Sequence, residues 1–366
     1  MYRRLAGALL IPLAILLDAS HARAALAQAW PPFVLVAGLL LIGLVAGRDG
    51  LFDAAASRLV RLAGPPVVLL LACLALVAVV TALLNLDTSV VFLTPVLVEA
   101  ARRRGVDATP FLYGSVFMAN ASSLFLPGSN LTNLLVLSGE HVSGAAFFAR
   151  MLPMALAAPL ITAAGLVLIH RGRLFVGGQP AREPADAVHL GLGFWGALLA
   201  AALIVVLRNA ALPVLALGLV LIASRAAQRR LALRTTISWL GLPVLISLLG
   251  VSVALGTLAR ASAFPAYLMH SAGGPLTAAV AALASVLVNN LPAAVLLSST
   301  HHLHVGALLL GLNVGPNLAV TGSLAVLLWW RAARAVGMTP SAISYSRQGL
   351  LLAPLALIGA LALGGG

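Results

Sequence analysis

Two asparagine-centred interruptions in long apolar segments constrain this chain more than any other feature. One is Asn85–Thr88 (NLDT), and the other is Asn289–Pro292 (NNLP). Each lies mid-way along a stretch long enough to enter a bilayer, where lipid offers polar groups no hydrogen-bond partner. Polar breaks persist at such depth where they line a cavity that binds a solute. One break lies in each half of the chain, which is typical of a secondary transporter built from repeats.

The composition restricts the class of protein. Of the 366 residues 61% are hydrophobic and only 8% are charged, and the mean hydropathy is +1.08. These values predict an all-α polytopic membrane protein of the plasma or inner membrane, surrounded by lipid. All 22 basic residues are arginines, and the net charge is +13. The sequence shows neither a basic domain nor an aromatic platform, so no nucleic-acid partner is expected.

The sequence offers no basis for catalysis or for a cofactor. Cys73 is the only cysteine, which excludes an intrachain disulfide and a thiolate metal cluster. Neither G-x-S-x-G nor H-E-x-x-H occurs, so no catalytic residue is predicted and the chain is not expected to be an enzyme. His301, His302 and His304 have no carboxylate or cysteine nearby, and we interpret them as a solvated cluster rather than a metal site.

Arginines in the loops predict the topology, because cytoplasmic loops carry an excess of positive charge. Residues 65–101 have arginines before and after them, so both ends prefer the cytoplasm and the segment is predicted to be a re-entrant hairpin. Residues 275–300 have no arginine in either flank and are predicted to be a hairpin that enters from the opposite face. With a cytoplasmic amino terminus, 18 arginines face inward, and the four that face outward are Arg23, Arg150, Arg208 and Arg260.

The two halves have the same order of parts and begin on opposite sides, which indicates inverted-topology repeats. Aligning residues 81–91 with residues 285–295 pairs Asn85 with Asn289. Residues 3–20 resemble a signal peptide, but we interpret them as a retained first span because the first repeat needs them. The predicted parts are a first repeat 1–169 (hairpin 65–101, broken helix 109–139), a linker and connecting span 170–207, and a second repeat 208–366 (hairpin 275–300, broken helix 304–330).

The two hairpins and the two broken helices are predicted to bring four polar interruptions together near the membrane midplane. Gly and Pro permit the unwinding, while Asn, Ser and Thr satisfy the freed backbone groups. Helix capping is the alternative, with Asp87 and Asn290 as N-caps, and the two roles are compatible because capped half-helix ends direct their dipoles into one cavity. The predicted substrate-binding residues are Asn85, Thr88, Asn120, Ser129, Asn130, Thr132, Asn289, Asn290, Asn313, Asn317, Thr321 and Ser323.

Asp87 is the one acidic residue far from a membrane surface on this topology. An unpartnered charge at mid-depth costs about 2.5–3.5 kcal/mol on insertion scales, so we interpret Asp87 as a proton or cation coupling site. A permanently capped structural aspartate is the alternative. Trp329 and Trp330, beside Arg331, are predicted to be anchors at the membrane interface.

Four segments resemble the arsenite–antimonite efflux permeases of the ion transporter superfamily. They are Leu84–Pro95 (LNLDTSVVFLTP), Ala119–Leu135 (ANASSLFLPGSNLTNLL), Val288–Leu296 (VNNLPAAVL) and Gly311–Trp329 (GLNVGPNLAVTGSLAVLLW). The resemblance implies two inverted repeats and proton-coupled export of As(III) or Sb(III). The lone Cys73 cannot build a three-thiolate site, so the expected substrate is a neutral hydroxide recognised by Asn, Ser and Thr.

The same superfamily includes sodium–proton antiporters and dicarboxylate or citrate carriers, and these are the alternatives. The Ser-Asn-Thr signatures of the dicarboxylate branch do not occur at the hairpin tips, and no basic residue is expected at depth for a carboxylate. The expected partners are a small inorganic substrate and protons, and a homodimer is left open. The short connection between the halves argues against a cytosolic ATPase partner.

Overall fold

The computed structural model describes residues 6–138, 142–175, 191–207, 209–228, 242–262, 267, 270–298 and 304–364. These residues are mainly helical and form no β-strand. The helices are α1 Leu10–Leu17, α2 Ala19–Arg48, α3 Leu51–Val60, α4 Pro66–Leu83, α5 Leu86–Arg103, α6 Thr109–Ala121, α7 Leu131–Leu137, α8 Gly144–Ile169, α9 Arg171–Leu174, α10 Leu192–Val206, α11 Ala211–Ala227, α12 Leu242–Ala261, α13 Gly274–Val288, α14 Asn290–Leu297, α15 Val305–Val314, α16 Leu324–Ala335 and α17 Ala342–Gly364.

Five of these helices are long and apolar enough to cross a membrane, namely α2, α4, α8, α12 and α17. The longest, α2, has 30 residues and includes Pro31 and Pro32. The predicted first span, residues 3–20, contains the 3-10 turn Ala6–Leu9 and the short helix α1, and Asp18 separates it from α2. Asp18 caps the helix through its carboxylate, which accepts from the backbone N–H of His21 (3.1 Å), and the alanine-rich stretch that follows has high helix propensity.

The first hairpin is formed by α4 and α5, which meet at Asn85. At its tip, Thr88 lies so close to Gly43 of α2 that a side chain there would clash with the threonine methyl. Farther from the tip, the ring of Phe92 stacks on the ring of Phe52, with 4.8 Å between the centroids. Phe52 belongs to α3, which follows the carboxyl end of α2. This hairpin consequently opens at the carboxyl end of α2.

The second hairpin is formed by α13 and α14, which meet at Asn289. Its far end lies at the opposite part of α2, where the side chain of Gln28 donates to Ser298 Oγ (3.1 Å) and to the carbonyl of Leu135 (3.0 Å). Gln28 precedes Arg48 by twenty residues, or about 30 Å of helix. The two hairpins therefore enter the protein from opposite ends, as the arginine pattern predicted, although His301 and His302 lie outside the described residues.

Helix α2 packs against α11, α12 and α10, and these helices form a frame beside the hairpins. The crossing of α2 and α11 is close because Gly38 faces the backbone of Leu215 and Gly218 faces the carbonyl of Gly38. Small residues let transmembrane helices approach in this way. At one end of the frame, Arg225 of α11 pairs with Asp49 (2.7 Å), and both side chains are less than a tenth exposed.

Each hairpin is followed by a broken helix. The first break separates α6 from α7 and contains a short 3-10 turn at Pro127–Ser129, and the second separates α15 from α16 and contains a 3-10 turn at Gly315–Leu318. Each half of the chain therefore supplies one hairpin and one broken helix. The exact limits of the two repeats, at residues 169 and 208, remain predictions.

Candidate functional site

The two broken helices bind each other through asparagine side chains from opposite halves of the chain. Asn120, near the end of α6, donates to Asn317 Oδ1 in the second break (2.8 Å). Asn130, in the first break, donates to Asn313 Oδ1 near the end of α15 (2.7 Å). All four side chains are less than a twentieth exposed. The structure thus brings together four of the twelve predicted residues. The end of α6 is bonded to the second break, and the end of α15 is bonded to the first break.

Asn313 connects more groups than its neighbours do. Its Oδ1 also accepts from Ser123 Oγ, and its Nδ2 donates to Asn133 Oδ1 (2.8 Å) and to the carbonyl of Leu309 (2.8 Å). Asn133 in turn donates to the carbonyl of Ser123 (2.7 Å). Because every member is buried, this network fixes the course of both unwound segments.

Each hairpin tip is attached to the break of its own half. In the first half, Ser129 Oγ donates to the carbonyl of Ala82 at the end of α4 (3.2 Å). In the second half, Asn289 Nδ2 donates to the carbonyl of Thr321 (3.2 Å), and the backbone N–H of Asn290 donates to the carbonyl of Gly322 (2.9 Å). Thr321 is exposed, and its hydroxyl donates to the carbonyl of Val286 in α13 (2.9 Å).

Four of the predicted residues are N-caps of the helices that begin at the centre of the protein. Their side chains accept backbone N–H groups of the first turn: Thr88 N to Asn85, Thr132 N to Asn130, Leu291 N to Asn289, and Val326 N to Ser323. N-caps therefore do occur at these helix starts, but the two residues predicted as caps, Asp87 and Asn290, are not the caps. Asp87 and Asn290 lie inside the first turns of α5 and α14, one or two residues after the true caps.

Asn289 has a strained backbone. Its φ of 76° and ψ of 149° lie in a region that almost only glycine occupies, and it is the one non-glycine residue with positive φ in the described chain. Such a conformation costs about 1–3 kcal/mol and persists only where the surroundings enforce it. Strain of this kind concentrates at functional sites, and here it lies at a hairpin tip.

The same region contains most of the buried side-chain polar atoms that find no partner among the described residues. Buried polar atoms without a hydrogen bond cost roughly 1–3 kcal/mol each, so most proteins pair them. In this chain six of the nine unpaired atoms belong to the hairpin tips or the first broken helix. They are Thr81 Oγ1, Asn85 Nδ2, Thr88 Oγ1, Asn120 Oδ1, Thr132 Oγ1 and Asn290 Oδ1.

Asp87 lies in the first turn of α5 and is half-buried. No hydrogen bond or ion pair to its carboxylate is formed by the described part of the chain. The amino end of α5 is favourable for a negative charge because its backbone N–H groups carry the positive end of the helix dipole. The structure therefore shows where Asp87 lies, while its role in coupling remains a prediction.

Sequence reasoning missed the aromatic cluster that supports the second break. Tyr345 of α17 donates through its hydroxyl to the carbonyl of Pro316 (3.0 Å), and its ring stacks on Phe117 (4.8 Å between centroids). Trp329 is completely buried beside it and donates to the carbonyl of Leu112 (2.8 Å). The prediction that Trp329 is an interfacial anchor was therefore wrong, because its indole N–H has a partner inside the protein.

A cavity of about 380 Å³ lies between α2, α7, the carboxyl end of α10 and the start of α11. It contacts the first broken helix through Pro127, Leu134 and Leu137. Most of the residues that line it have apolar side chains, with Ser138 and Asn209 among the exceptions. None of the predicted substrate-binding residues lines it. It reaches the site segments from the side, next to the first break.

Comparison with known families assigns the chain. Its residues 3–325 match the sequence profile of the citrate transporter family CitMHS. The chain belongs to the citrate transporter family. The match spans both hairpins, the first broken helix and the second broken helix as far as residue 325, and it therefore includes all twelve predicted substrate-binding residues. The chain is accordingly a multi-pass membrane transporter.

The fold of this family member resembles a solved transporter. The crystal structure of the YdaH transporter of Alcanivorax borkumensis, described as having an unusual topology, superposes with a TM-score of 0.57 at 13% sequence identity. The superposition covers 94% of this chain and 86% of the other. At this identity the likeness concerns the fold alone.

The family match favours the carrier that was expected only as an alternative. The motifs resembled arsenite–antimonite permeases, whereas the matched profile belongs to a carrier group that the sequence analysis kept as an alternative. Nothing in the comparisons supports arsenite specificity. The absence of the Ser-Asn-Thr signatures therefore did not exclude a citrate-type family.

Proposed function

We propose that the chain is a cation-coupled secondary carrier of a small organic anion of the citrate class. The observation that supports this most is the set of unpaired buried polar atoms around the hairpin tips and the first break. The hydroxyl of Thr88 and the side-chain amide N–H of Asn85 can donate to carboxylate oxygens of a ligand. The amide oxygens of Asn120 and Asn290 can accept from its hydroxyl groups or protonated carboxyl groups. A ligand would relieve the cost that these atoms otherwise impose on the fold.

The charge of the site determines what must accompany the anion. The segments 81–95, 119–135, 285–297 and 311–323 contain no Arg, Lys or His, and Asp87 is their one acidic residue. A multiply charged carboxylate at depth is costly unless its charge is neutralised. We therefore expect cations to enter with it, either as protons on the carboxyl groups or as bound metal ions.

Helix amino termini supply part of the compensation. Helices α5 and α14 begin at the two hairpin tips and α16 begins at the second break, so the backbone N–H groups of these three first turns are the positive ends of helix dipoles. Half-helix amino termini of this kind bind the anionic groups of substrates in other transporters with broken helices. This feature makes a carboxylate compatible with a site that has no basic side chain.

Asp87 is proposed as the residue that couples a cation to the anion. It lies next to the Asn85 cap and has no partner in the described chain, so it is available to take up a proton or to bind a metal ion. Substitution Asp87→Asn should keep the fold and abolish the dependence of uptake on the cation gradient. Unchanged gradient dependence in a well-expressed variant would refute the coupling role.

Uptake by purified protein in liposomes tests the substrate class. We expect labelled citrate to accumulate when a proton, sodium or magnesium gradient is imposed, with one of the three cations dominant. Asn120→Leu, which removes a buried unpaired oxygen and the bond to Asn317, should abolish uptake, whereas the matched control Asn209→Leu, on an exposed asparagine, should not. Absence of citrate transport under all gradients would refute the proposal.

Arsenite is the second candidate, because an amide- and hydroxyl-lined site without basic groups also suits a neutral trihydroxide. The same liposomes should be assayed with arsenite and antimonite. Export or uptake of these solutes, without competition by citrate, would favour the metalloid function. Cys73 is fully buried in α4, so Cys73→Ser should leave either activity unchanged.

A further inference from the structure

A second cavity, separate from the candidate site, lies at the end of the protein where the first hairpin opens. It has a volume of about 580 Å³ and is widely open to the outside. It is bordered by the start of α6, the end of α8, α9, the segment that joins α16 to α17, and the first turns of α17. Arg173 and Arg347 line it together with His170, Tyr113 and several hydroxyl and amide groups. Its wall thus combines positive charge with neutral donors.

The charges of this cavity are unequal. Arg173 pairs with Asp107 (2.7 Å), and the carboxylate of Asp107 also accepts the backbone N–H of Thr109 (2.8 Å). Burial would raise the pKa of Asp107, but the hydrogen bonds from Thr109 and the charge of Arg173 lower it, so this carboxylate is ionised at neutral pH. Arg347 is exposed and forms no ion pair with any described residue. Two arginine charges against one carboxylate leave one positive charge for a ligand.

The neutral groups of the wall are held in fixed positions. His170 Nε2 lies 3.0 Å from Gln348 Oε1, and the side-chain amide of Gln348 donates to the carbonyl of Ser344 (3.2 Å). The hydroxyl of Tyr113 accepts the backbone N–H of Ser341 (3.0 Å). Burial lowers the pKa of His170, so at neutral pH the imidazole is uncharged and the positive charge of the cavity comes from arginine.

The rim of the cavity continues onto the apolar outer surface of the helices. Ile169 and Leu351 belong to the wall and are 36% and 59% exposed, and Leu355, one turn farther along α17, is 58% exposed. These side chains lie on α8 and α17, which pack against each other. A ligand with a charged head and apolar tails would therefore contact basic and apolar groups at the same time.

We propose that this cavity binds a phosphate-bearing anion, and that the head group of an anionic phospholipid is its source. Arginine forms bidentate hydrogen bonds with phosphate oxygens, and basic pockets between transmembrane helices bind acidic lipid head groups. The first hairpin contacts the chain beside the cavity, because Arg102 of α5 donates to the carbonyl of Val336 (2.8 Å), which directly precedes the lining residue Gly337. A bound lipid would stabilise this junction.

Thermal unfolding and native mass spectrometry of the purified full-length protein test the proposal. The probes are dioleoyl phosphatidylglycerol, dioleoyl phosphatidylcholine and inorganic phosphate, each titrated into delipidated protein. We expect phosphatidylglycerol to be retained and to raise the melting temperature, and phosphatidylcholine to do neither. Arg347→Gln should weaken phosphatidylglycerol binding by about fivefold, the effect of one arginine near a charged surface.

Arg331→Gln is the matched control, since Arg331 is an exposed arginine on α16 outside the cavity wall. It should leave binding unchanged. Stabilisation by inorganic phosphate alone, lost in Arg347→Gln, would support the site and assign it to free phosphate-bearing anions instead of lipid. Equal effects of the two lipids, or equal losses in the Arg347 and Arg331 variants, would overturn the proposal.

Discussion

Replacing Asn313 by leucine tests whether the crosswise amide network holds the two halves together. Asn313 is completely buried, and its side chain exchanges hydrogen bonds with Ser123, Asn130, Asn133 and the carbonyl of Leu309. Leucine has a similar volume, so the substitution removes the bonds without opening a large cavity. The loss is then electrostatic rather than a defect of packing.

The magnitude follows from which partners remain unsatisfied. The carbonyl of Leu309 keeps its helical partner, and Ser123 Oγ still donates to the carbonyl of Asn120 (2.7 Å). Asn130 Nδ2 and Asn133 Oδ1 lose the bonds made to Asn313. Two buried groups without partners cost about 1–3 kcal/mol each, so the free energy of unfolding should fall by about 2–6 kcal/mol.

Thermal unfolding in detergent and citrate uptake in liposomes measure the two consequences. At roughly 2 °C per kcal/mol, the melting temperature should fall by about 4–12 °C. Uptake should also be lost, because the break no longer holds Asn130 beside α15. The control is Asn209→Leu, which changes an exposed asparagine. If Asn313→Leu has the same melting temperature as the wild type and transports normally, the network does not organise the site.

Three other predictions concern other parts of the chain. Asp49→Asn should lower the free energy of unfolding by about 3–5 kcal/mol, because it leaves Arg225 charged and buried. Glu99→Gln, which breaks the exposed ion pair of Glu99 with Arg103 (3.0 Å), should cost less than about 1 kcal/mol, and equal melting temperatures of the two variants would contradict this. Asn289→Gly should melt above Asn289→Ala, since only glycine accepts the backbone conformation there without strain of about 1–3 kcal/mol; the reverse order would exclude strain. Burial lowers the pKa of His170, so the folded chain binds this proton less readily than the unfolded chain and loses stability as the pH falls below 6.5. His170→Gln should remove that part of the loss in melting curves recorded from pH 7.5 to 5.5, and identical curves would refute it.

The central breaks could be predicted from the sequence because lipid penalises polar residues strongly. Asparagine at 85, 120, 289 and 313 stands out in apolar segments, and the structure places Asn85 and Asn289 at hairpin tips and the other two just before helix breaks. Asn85 and Asn289 accept backbone N–H groups at the starts of helices, whereas Asn120 and Asn313 bond mainly to other buried side chains. The physical cause is local, so a local pattern revealed it.

The partners of these residues could not be predicted, because they come from distant parts of the chain. Asn120 bonds to Asn317 across 197 positions, and Gln28 bonds to Ser298 across 270. The same holds for Gln28 inside the long helix α2. Leu135 and Ser298 supply the hydrogen bonds that a lipid-exposed glutamine would lack.

The sequence motifs also do not distinguish between the candidate substrate classes. The four site segments contain amides and hydroxyls, which suit a neutral hydroxide and a cation-neutralised carboxylate equally well. What distinguishes these ligands is the direction of the helix amino termini, and the sequence shows only that helices begin there. It is the family match that leads us to propose a carboxylate.

The bonds between Asn120 and Asn317 and between Asn130 and Asn313 join the first half of the chain to the second. Parting the halves at this seam would break them in a place that water does not easily reach. This cost disfavours any motion that separates the two halves there and favours displacement of the joined core as one unit. A substrate bound between the two breaks would then move together with them.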